Sequence, residues 1–221
     1  MKPLSILIEI FSECKTSEFK RGQTIYFQNE IPRNALLLLD GSVKATTLNA
    51  SDAVRTIALI DEGDMFPLEC IFGKDKGCRY IYEATTSIKC LNIPMKQLRE
   101  EIATNTEVKS ILFERLSLGY IGSLINLEAV GQSRVREKII YILRYLLQRY
   151  GAEINEGWWK LNVRITQNDI SNMIGITRET VAVELSKLKH EGIINTGSFS
   201  YSLNLNRLIE LTNREDWKEF I

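Results

Sequence analysis

The hydrophobic pattern of this chain changes period once, at Pro94, and that change sets its architecture. Before Pro94, apolar residues come in short runs broken by turn residues; after it no proline occurs and apolar residues return at helical spacing. Phe19-Lys20-Arg21-Gly22 leads into Thr24-Ile25-Tyr26-Phe27. The apolar run 35–39 ends at Asp40-Gly41, a pair that predicts a hairpin turn into Ser42-Val43-Lys44-Ala45-Thr46. Residues 55–60 are closed by Asp61-Glu62-Gly63-Asp64, and residues 79–84 and 88–93 complete the series. Many short strands at about ten-residue spacing predict a β-barrel or jelly-roll-like domain.

Residues 95–102 then read as a short helix, and helical spacing dominates from Thr106 to Val130. Ile111, Leu118 and Ile125 recur at seven residues, with Leu112, Leu116 and Leu127 on adjacent faces. Gly119, Gly122 and Ser123 are small enough to let a second helix approach. A helix this apolar must be covered, either by the rest of its own chain or by a second copy. Residues 135–150 form a further helix, with Ile139, Ile140, Ile142, Leu143, Leu146 and Leu147 on its buried side and Gly151 at its end. Residues 158–163 read as a strand.

Composition narrows the function. The 221 residues suit two modest domains and a connector; 44% are apolar and 25% charged, as in ordinary globular proteins. No run of 18 apolar residues is long enough to cross a membrane, and Glu9 interrupts the N-terminal run before a signal-peptide core forms. A cytoplasmic protein without a membrane partner is expected. The 28 basic and 28 acidic residues cancel overall, but residues 132–207 hold eleven basic against seven acidic side chains, which permits a nucleic-acid role there. One histidine, His190, argues against histidine metal sites and against Ser-His-Asp or Cys-His catalysis. With neither a metal cluster nor a phosphate-binding loop, no enzyme activity is expected. Cys14, Cys70, Cys78 and Cys90 form no CxxC pair and are expected as reduced thiols, Cys70 and Cys78 either buried and inert or a redox pair.

The informative stretch is 166–194, TQNDISNMIGITRETVAVELSKLKHEGII. Thr166 is placed to cap a helix, with Asp169 in its first turn and Ile170, Met173 and Ile174 as the apolar face. Gly175 supplies a turn. Thr177 caps a second helix with Thr180, Val181, Leu185 and Leu188 spaced for burial, and Gly192 ends it. Two short helices around a glycine turn are a helix-turn-helix, whose second helix can enter a major groove. An αα-hairpin with no DNA role has the same outline. The two strands that follow, 193–196 and 200–205 around Gly197-Ser198-Phe199, make a hairpin of wing size.

The chain resembles the CRP/FNR family of bacterial transcription regulators, of which the cyclic-AMP receptor protein is a member. The resemblance runs nearly full length. It is carried most strongly by Gly175-Ile176-Thr177-Arg178-Glu179-Thr180-Val181, and also by KRGQTIYFQNE at 20–30, LLLLDGSVKA at 36–45 and LIDEGDMF at 59–66. It implies an α+β fold: a cyclic-nucleotide-binding-like β-roll over 1–105, a dimerisation helix over 106–131 and a winged helix-turn-helix over 132–221. It implies a homodimer joined through Ile111, Leu112, Leu118, Gly122 and Ile125. It also implies a double-stranded DNA operator read by Gln167, Thr177, Arg178, Glu179, Thr180, Ala182 and Val183, with RNA polymerase as a possible further partner. Gln167 and Thr177 would meet phosphates. Arg178 would bond guanine, or only a phosphate; Glu179 would accept from cytosine, or stand solvated; Ala182 and Val183 would touch a thymine methyl.

The effector cassette departs from the family pattern. The family places Gly-Glu after the phenylalanine and an Arg-Ser/Thr-Ala further on, the Glu for a ribose hydroxyl and the Arg for a cyclic phosphate. Here Phe66 is followed by Pro67-Leu68-Glu69, and Arg79 by Tyr80-Ile81. Leucine accepts no hydrogen bond and proline has no N–H to donate. No cofactor is expected, and any effector is expected to be a small molecule other than a cyclic nucleotide, met by Phe66, Pro67, Leu68, Glu69, Arg79, Tyr80 and Ser123. Phe66, Phe72, Tyr80 and Tyr82 either line such a site or are plain core. The rival function is a ligand-binding module whose helix-turn-helix makes protein contacts only.

Overall fold

The computed structural model describes residues 3–50, 52–73, 77–197, 200–214 and 217. Met1, Lys2 and the wing turn expected at Ser198-Phe199 lie outside them. The chain divides into two compact units, Met1–Gly119 and Tyr120–Ile221.

The first unit holds α1 (Pro3–Ile10), β1 (Thr16–Phe19), β2 (Thr24–Tyr26), β3 (Asn34–Asp40), β4 (Val43–Leu48), β5 (Val54–Ile60), β6 (Met65–Phe66), α2 (Leu68–Phe72), β7 (Ile81–Ala84), β8 (Ile88–Pro94) and α3 (Met95–Thr104). Helix α4 (Thr106–Gly131) starts in this unit and contains the division. Two antiparallel four-stranded sheets, β1-β8-β3-β6 and β2-β7-β4-β5, make the β-roll. One core of buried residues joins Leu7 of α1, Phe11 just after it, Leu36–Leu38 of β3, Phe66, Tyr82, Ile93 and Leu98. Val108, Ile111 and Leu112 of α4 belong to the same core. Each such side chain contributes about 1.5–3 kcal/mol by leaving water. Asn105 caps α4, its Oδ1 accepting from the N–H of Glu107 at 3.0 Å and of Val108 at 3.3 Å.

The hairpin expected at Asp40-Gly41 is not one. Strand β3 pairs with β8 and β6, whereas β4 pairs with β5 and β7. The two residues carry the chain from one sheet to the other. The reason lies in β3: β8 pairs along one edge and β6 along the other, so neither edge is left for β4. Gly41 takes φ +88°, and a β-carbon there would stand 2.5 Å from the Ser87 carbonyl oxygen. The true hairpin is β4–β5, closed where Asn49 Oδ1 accepts from the Ala53 N–H at 2.9 Å.

The second unit contains the rest of α4 and α5 (Val135–Tyr150), β9 (Gly151–Asn155), β10 (Trp158–Leu161), α6 (Gln167–Ile174), α7 (Arg178–His190), β11 (Ile194–Thr196), β12 (Tyr201–Asn204) and α8 (Leu205–Thr212). Its antiparallel sheet runs β11-β12-β10-β9, so the wing hairpin continues into a second hairpin through β12 and β10. Gly151 ends α5 at an extended φ of −79° and opens β9, a strand the sequence reading passes over. The expected inner face of α5 is buried, and so is Arg144, 6% exposed. Its guanidinium lies 4.6 Å from the centroid of the buried Trp217 ring and 3.6 Å from the Glu128 carboxylate. A cation over an indole face with a carboxylate beside it keeps its charge compensated.

Gly41→Ala forces a β-carbon into a left-handed backbone and against a carbonyl, and should cost at least about 1–3 kcal/mol. Gly119→Ala is helical and meets nothing within 4 Å, so it should be neutral or stabilise by up to about 1 kcal/mol. Urea denaturation of the two variants beside the parent chain measures both.

Candidate nucleic-acid interface and effector cassette

The helix-turn-helix is built by its caps. Thr166 Oγ1 accepts from the Asp169 N–H at 3.1 Å, and Asp169 Oδ2 accepts from the Thr166 N–H at 2.9 Å and from its hydroxyl at 2.6 Å. This reciprocal box starts α6. Gly175 ends α6 at φ +71°, a left-handed backbone that glycine adopts without strain. Thr177 starts α7, its Oγ1 accepting from the Thr180 N–H at 3.2 Å. Val181, Leu185 and Leu188 are at most 2% exposed and press α7 onto the unit.

That burial leaves the opposite face of α7 in solvent. Arg178, Glu179 and Val183 are exposed and Ala182 is half-buried. Ser186, one turn further on, is exposed on the same face and was not among the expected residues. Thr180 is half-buried with its hydroxyl 2.9 Å from that of Thr177, so the two threonines serve the cap. A cleft of about 580 Å³ gathers Gln167 and Asn168 of α6, Arg178 of α7, and Thr196, Gly197 and Tyr201 of the wing. Gln167 and Arg178, 11 positions apart in the sequence, thus share one opening. The wing residues and Asn168 were not singled out from sequence; only the cap position before α6 hinted at them. Arginine, amides, hydroxyls and a helix N-terminus facing one opening suit an anionic backbone.

The cassette of the N-terminal unit is filled by its own side chains. Phe66 stacks on Tyr82 with centroids 5.5 Å apart, and Tyr26 meets both edge-on at 6.5 and 6.4 Å. Of the aromatics with two open roles, Phe66 and Tyr82 are core; Phe72 is exposed on α2 and Tyr80 half-buried. Pro67 is buried and Leu68 half-buried. Glu69 turns inward: Oε2 accepts from the Tyr82 hydroxyl at 2.7 Å and Oε1 from the Arg79 N–H at 3.0 Å. Burial, then the Glu69 charge, push the Tyr82 hydroxyl far above its ordinary range. The Arg79 residue is exposed. Ser123 stands exposed on α4 in the second unit.

All four thiols are reduced. Cys70 and Cys78 lie with sulfurs 4.0 Å apart. Burial is the largest cause raising both of them, and it pushes Cys90 up to about 12. Thiols held neutral in this way are poor nucleophiles.

Helix α4 carries more apolar surface than its seven-residue spacing suggested. Ile111 and Leu112 are 6% and 3% exposed, taken up by the core of the N-terminal unit. Gly122 is buried against Tyr145, where a β-carbon would stand 2.8 Å from the ring. Ile125 is half-buried. Of the expected seam residues only Leu118 is openly exposed, at 50%. The exposed apolar side chains run through Phe113, Tyr120, Ile121, Leu124 and Leu127 instead. Phe113, Tyr120 and Leu127 also repeat at seven residues, two positions later in the helix. A shift of two residues is about 200° around the axis, nearly the opposite face.

Residues 16–105 match the family model of a cyclic nucleotide-binding domain, and residues 139–211 that of a Crp-like helix-turn-helix domain. The HTH-type transcriptional regulator ArcR of Staphylococcus epidermidis is 27% identical over 192 residues, covering 87% of this chain and 83% of that protein. Among solved structures, FixK2 from Bradyrhizobium japonicum superposes with a TM-score of 0.75 at 20% identity, over 90% of this chain and 96% of that one. A CRP/FNR-family transcriptional regulator from Thermus thermophilus does so with a TM-score of 0.66 at 25% identity, over 90% and 98%.

The thiols carry a pH signature. In the unfolded chain a thiol ionises near its ordinary value of 9.0; in the folded chain Cys90 holds its proton to about 12. A raised acid of this kind leaves stability level below the unfolded value and erodes it above, by up to about 1.4 kcal/mol per pH unit for each thiol. Urea midpoints should therefore hold from pH 7 to 8.5 and fall by pH 10. A midpoint level to pH 10 would contradict the burial of these groups.

Proposed function

This chain belongs to the CRP/FNR family of transcription regulators, and on that premise we propose that it acts as a homodimer whose two α7 helices read a pseudo-palindromic DNA operator. A DNA-binding transcription regulator needs a helix with one face buried and one free for base edges. The observation that carries the reading is the solvent-facing row Arg178, Glu179, Ala182 and Val183, which starts at the shared cleft with Gln167 and the wing. Two such helices enter successive major grooves about 34 Å apart. Arg178 bonds guanine O6 and N7, Glu179 accepts from a cytosine amino group, and Ala182 and Val183 meet a thymine methyl. Gln167 and Thr177 meet phosphates, and Thr180 supports the Thr177 cap. RNA polymerase is a further partner in this reading, and the cytoplasm the place of work.

The dimer joins along α4. The support is the exposed row Phe113, Tyr120, Leu124 and Leu127, with Ile121 at its margin; the exposed Leu118 lies off this row, toward the far side of the helix. The effector is a small molecule other than a cyclic nucleotide: Pro67 has no N–H to donate and the Leu68 side chain neither donates nor accepts, and the Glu69 carboxylate is taken by Tyr82 and Arg79.

Two measurements test this. Arg178→Ala should cost about 1–3 kcal/mol on the operator and relax preference at one base pair per half-site. A phosphate-only role would instead weaken all sequences alike and lower the salt slope by about one unit. Selection of binding sites from random duplexes with parent, Arg178→Ala and Glu179→Ala proteins, with and without cyclic AMP, separates these. Identical logos for all three proteins would remove base reading from the pair, and a logo or affinity that depends on cyclic AMP would overturn the effector reading. Leu124→Arg buries an unpaired charge in the seam and should break the dimer; sedimentation velocity showing an unchanged dimer would refute the seam.

A further inference from the structure

Behind the reading face, charged side chains meet that no step above uses. Arg136, in the first turn of α5, grips both carboxylate oxygens of Glu191: Nη1 to Oε1 at 3.0 Å and Nη2 to Oε2 at 2.5 Å. Glu184 of α7 lies 3.9 Å from Arg136 Nη1 and accepts from Lys187 Nζ at 2.5 Å. Glu191 is also the residue that closes α7, its N–H donating to the Lys187 carbonyl. Its own carbonyl accepts from Arg207 Nη1 of α8 at 2.8 Å. Next to it Gly192 has φ +69°, and a β-carbon there would collide with Arg207 Nη1. One residue at the end of α7 is thus tied to α5 through its side chain and to α8 through its backbone.

We propose that Arg136 and Glu191 are positioning residues for base reading: a brace that fixes the roll and axial position of α7 without touching DNA. This rests on the operator reading proposed above. The buried Val181, Leu185 and Leu188 hold α7 down, but apolar contact is non-directional and resists sliding or rolling weakly. A bidentate guanidinium–carboxylate pair is directional. The lever is long: Arg178 lies about 20 Å from Glu191 along the helix, so a swing of about 10° at the brace moves it by about 3 Å. That exceeds the tolerance of a hydrogen bond to a base edge. The two side chains are 31% and 42% exposed, and exposed pairs add little to stability. Loss of the brace should therefore disturb reading while leaving the fold intact.

The test uses full-length protein, with operator and unrelated duplexes at matched low salt, followed by fluorescence anisotropy. Arg136→Gln and Glu191→Gln should each lower operator affinity about tenfold, the scale of one lost base contact. Affinity for unrelated DNA should follow charge alone, slightly lower for Arg136→Gln and slightly higher for Glu191→Gln, and Tm should move by less than about 3 °C. The swapped double variant, Arg136→Glu with Glu191→Arg, should regain much of the loss, short of all because Glu184 faces the new carboxylate. Glu191→Gln is the decisive arm, because removing an acid from a DNA-binding unit strengthens backbone attraction. Only a positioning role makes it bind worse. Glu191→Gln binding as tightly as the parent, or tighter, overturns the brace. So does a swapped variant that regains nothing, or an Arg136→Gln that merely lowers the salt slope by about one unit. A parent protein that binds no duplex selectively defeats the function itself, and does so before any variant is compared.

Discussion

A single constraint governs the chain beyond its sheets: the 26 residues of α4 must satisfy different apolar demands with one surface. Its first turns give Val108, Ile111 and Leu112 to the β-roll core. Its last turns give Gly122 to Tyr145, a buried Ala129, and Glu128 to Arg144. What remains, the row through Phe113, Tyr120 and Leu127, faces solvent. A helix used in this way is apolar on nearly every side. Each of its small or large residues has a separate destination, so none can be exchanged on hydrophobicity alone.

The same fact explains where sequence reading succeeded and where it missed. The helix-turn-helix was legible almost residue by residue, because caps and a left-handed glycine are local: Thr166, Asp169, Gly175 and Thr177 need only their own neighbours. Which apolar row of α4 faces solvent was not legible. When apolar residues surround a helix, several seven-residue rows coexist, and the row Ile111, Leu118, Ile125 is as regular as the row two positions later. Burial alone decides between them, and burial is a tertiary property. The Asp40-Gly41 turn failed for a related reason. Its chemistry was read correctly as a turn, yet which strand pairs with which is set by partners distant in sequence, β8 and β6, which take both edges of β3. Arg144 was invisible as a core residue because its partners, Glu128 and Trp217, lie far from it in sequence.

The effector cassette shows how a substitution can be absorbed chemically. With Pro67 and Leu68 beside it, a carboxylate at position 69 has little to accept from at its own end of the cassette. It turns to the Tyr82 hydroxyl and the Arg79 amide, both buried or backbone donors that would otherwise need water. Tyr82 in turn is held flat against Phe66. The polar and aromatic groups of the cassette therefore satisfy one another, and an incoming molecule would have to offer a better partner than the one already in place.

The first turns of α4 also bear on how such proteins can exchange parts. The cyclic nucleotide-binding match ends at residue 105, yet the hydrophobic core it encloses is closed only by Val108, Ile111 and Leu112. A β-roll transplanted at residue 105 would arrive with its interior open and, lacking those three side chains, would have to accept whatever helix the recipient provides. The workable splice lies after Leu112. An exchange that respects packing would then carry the opening of the long helix with the β-roll and leave its far end with the helix-turn-helix unit, so that α4 belongs in part to each.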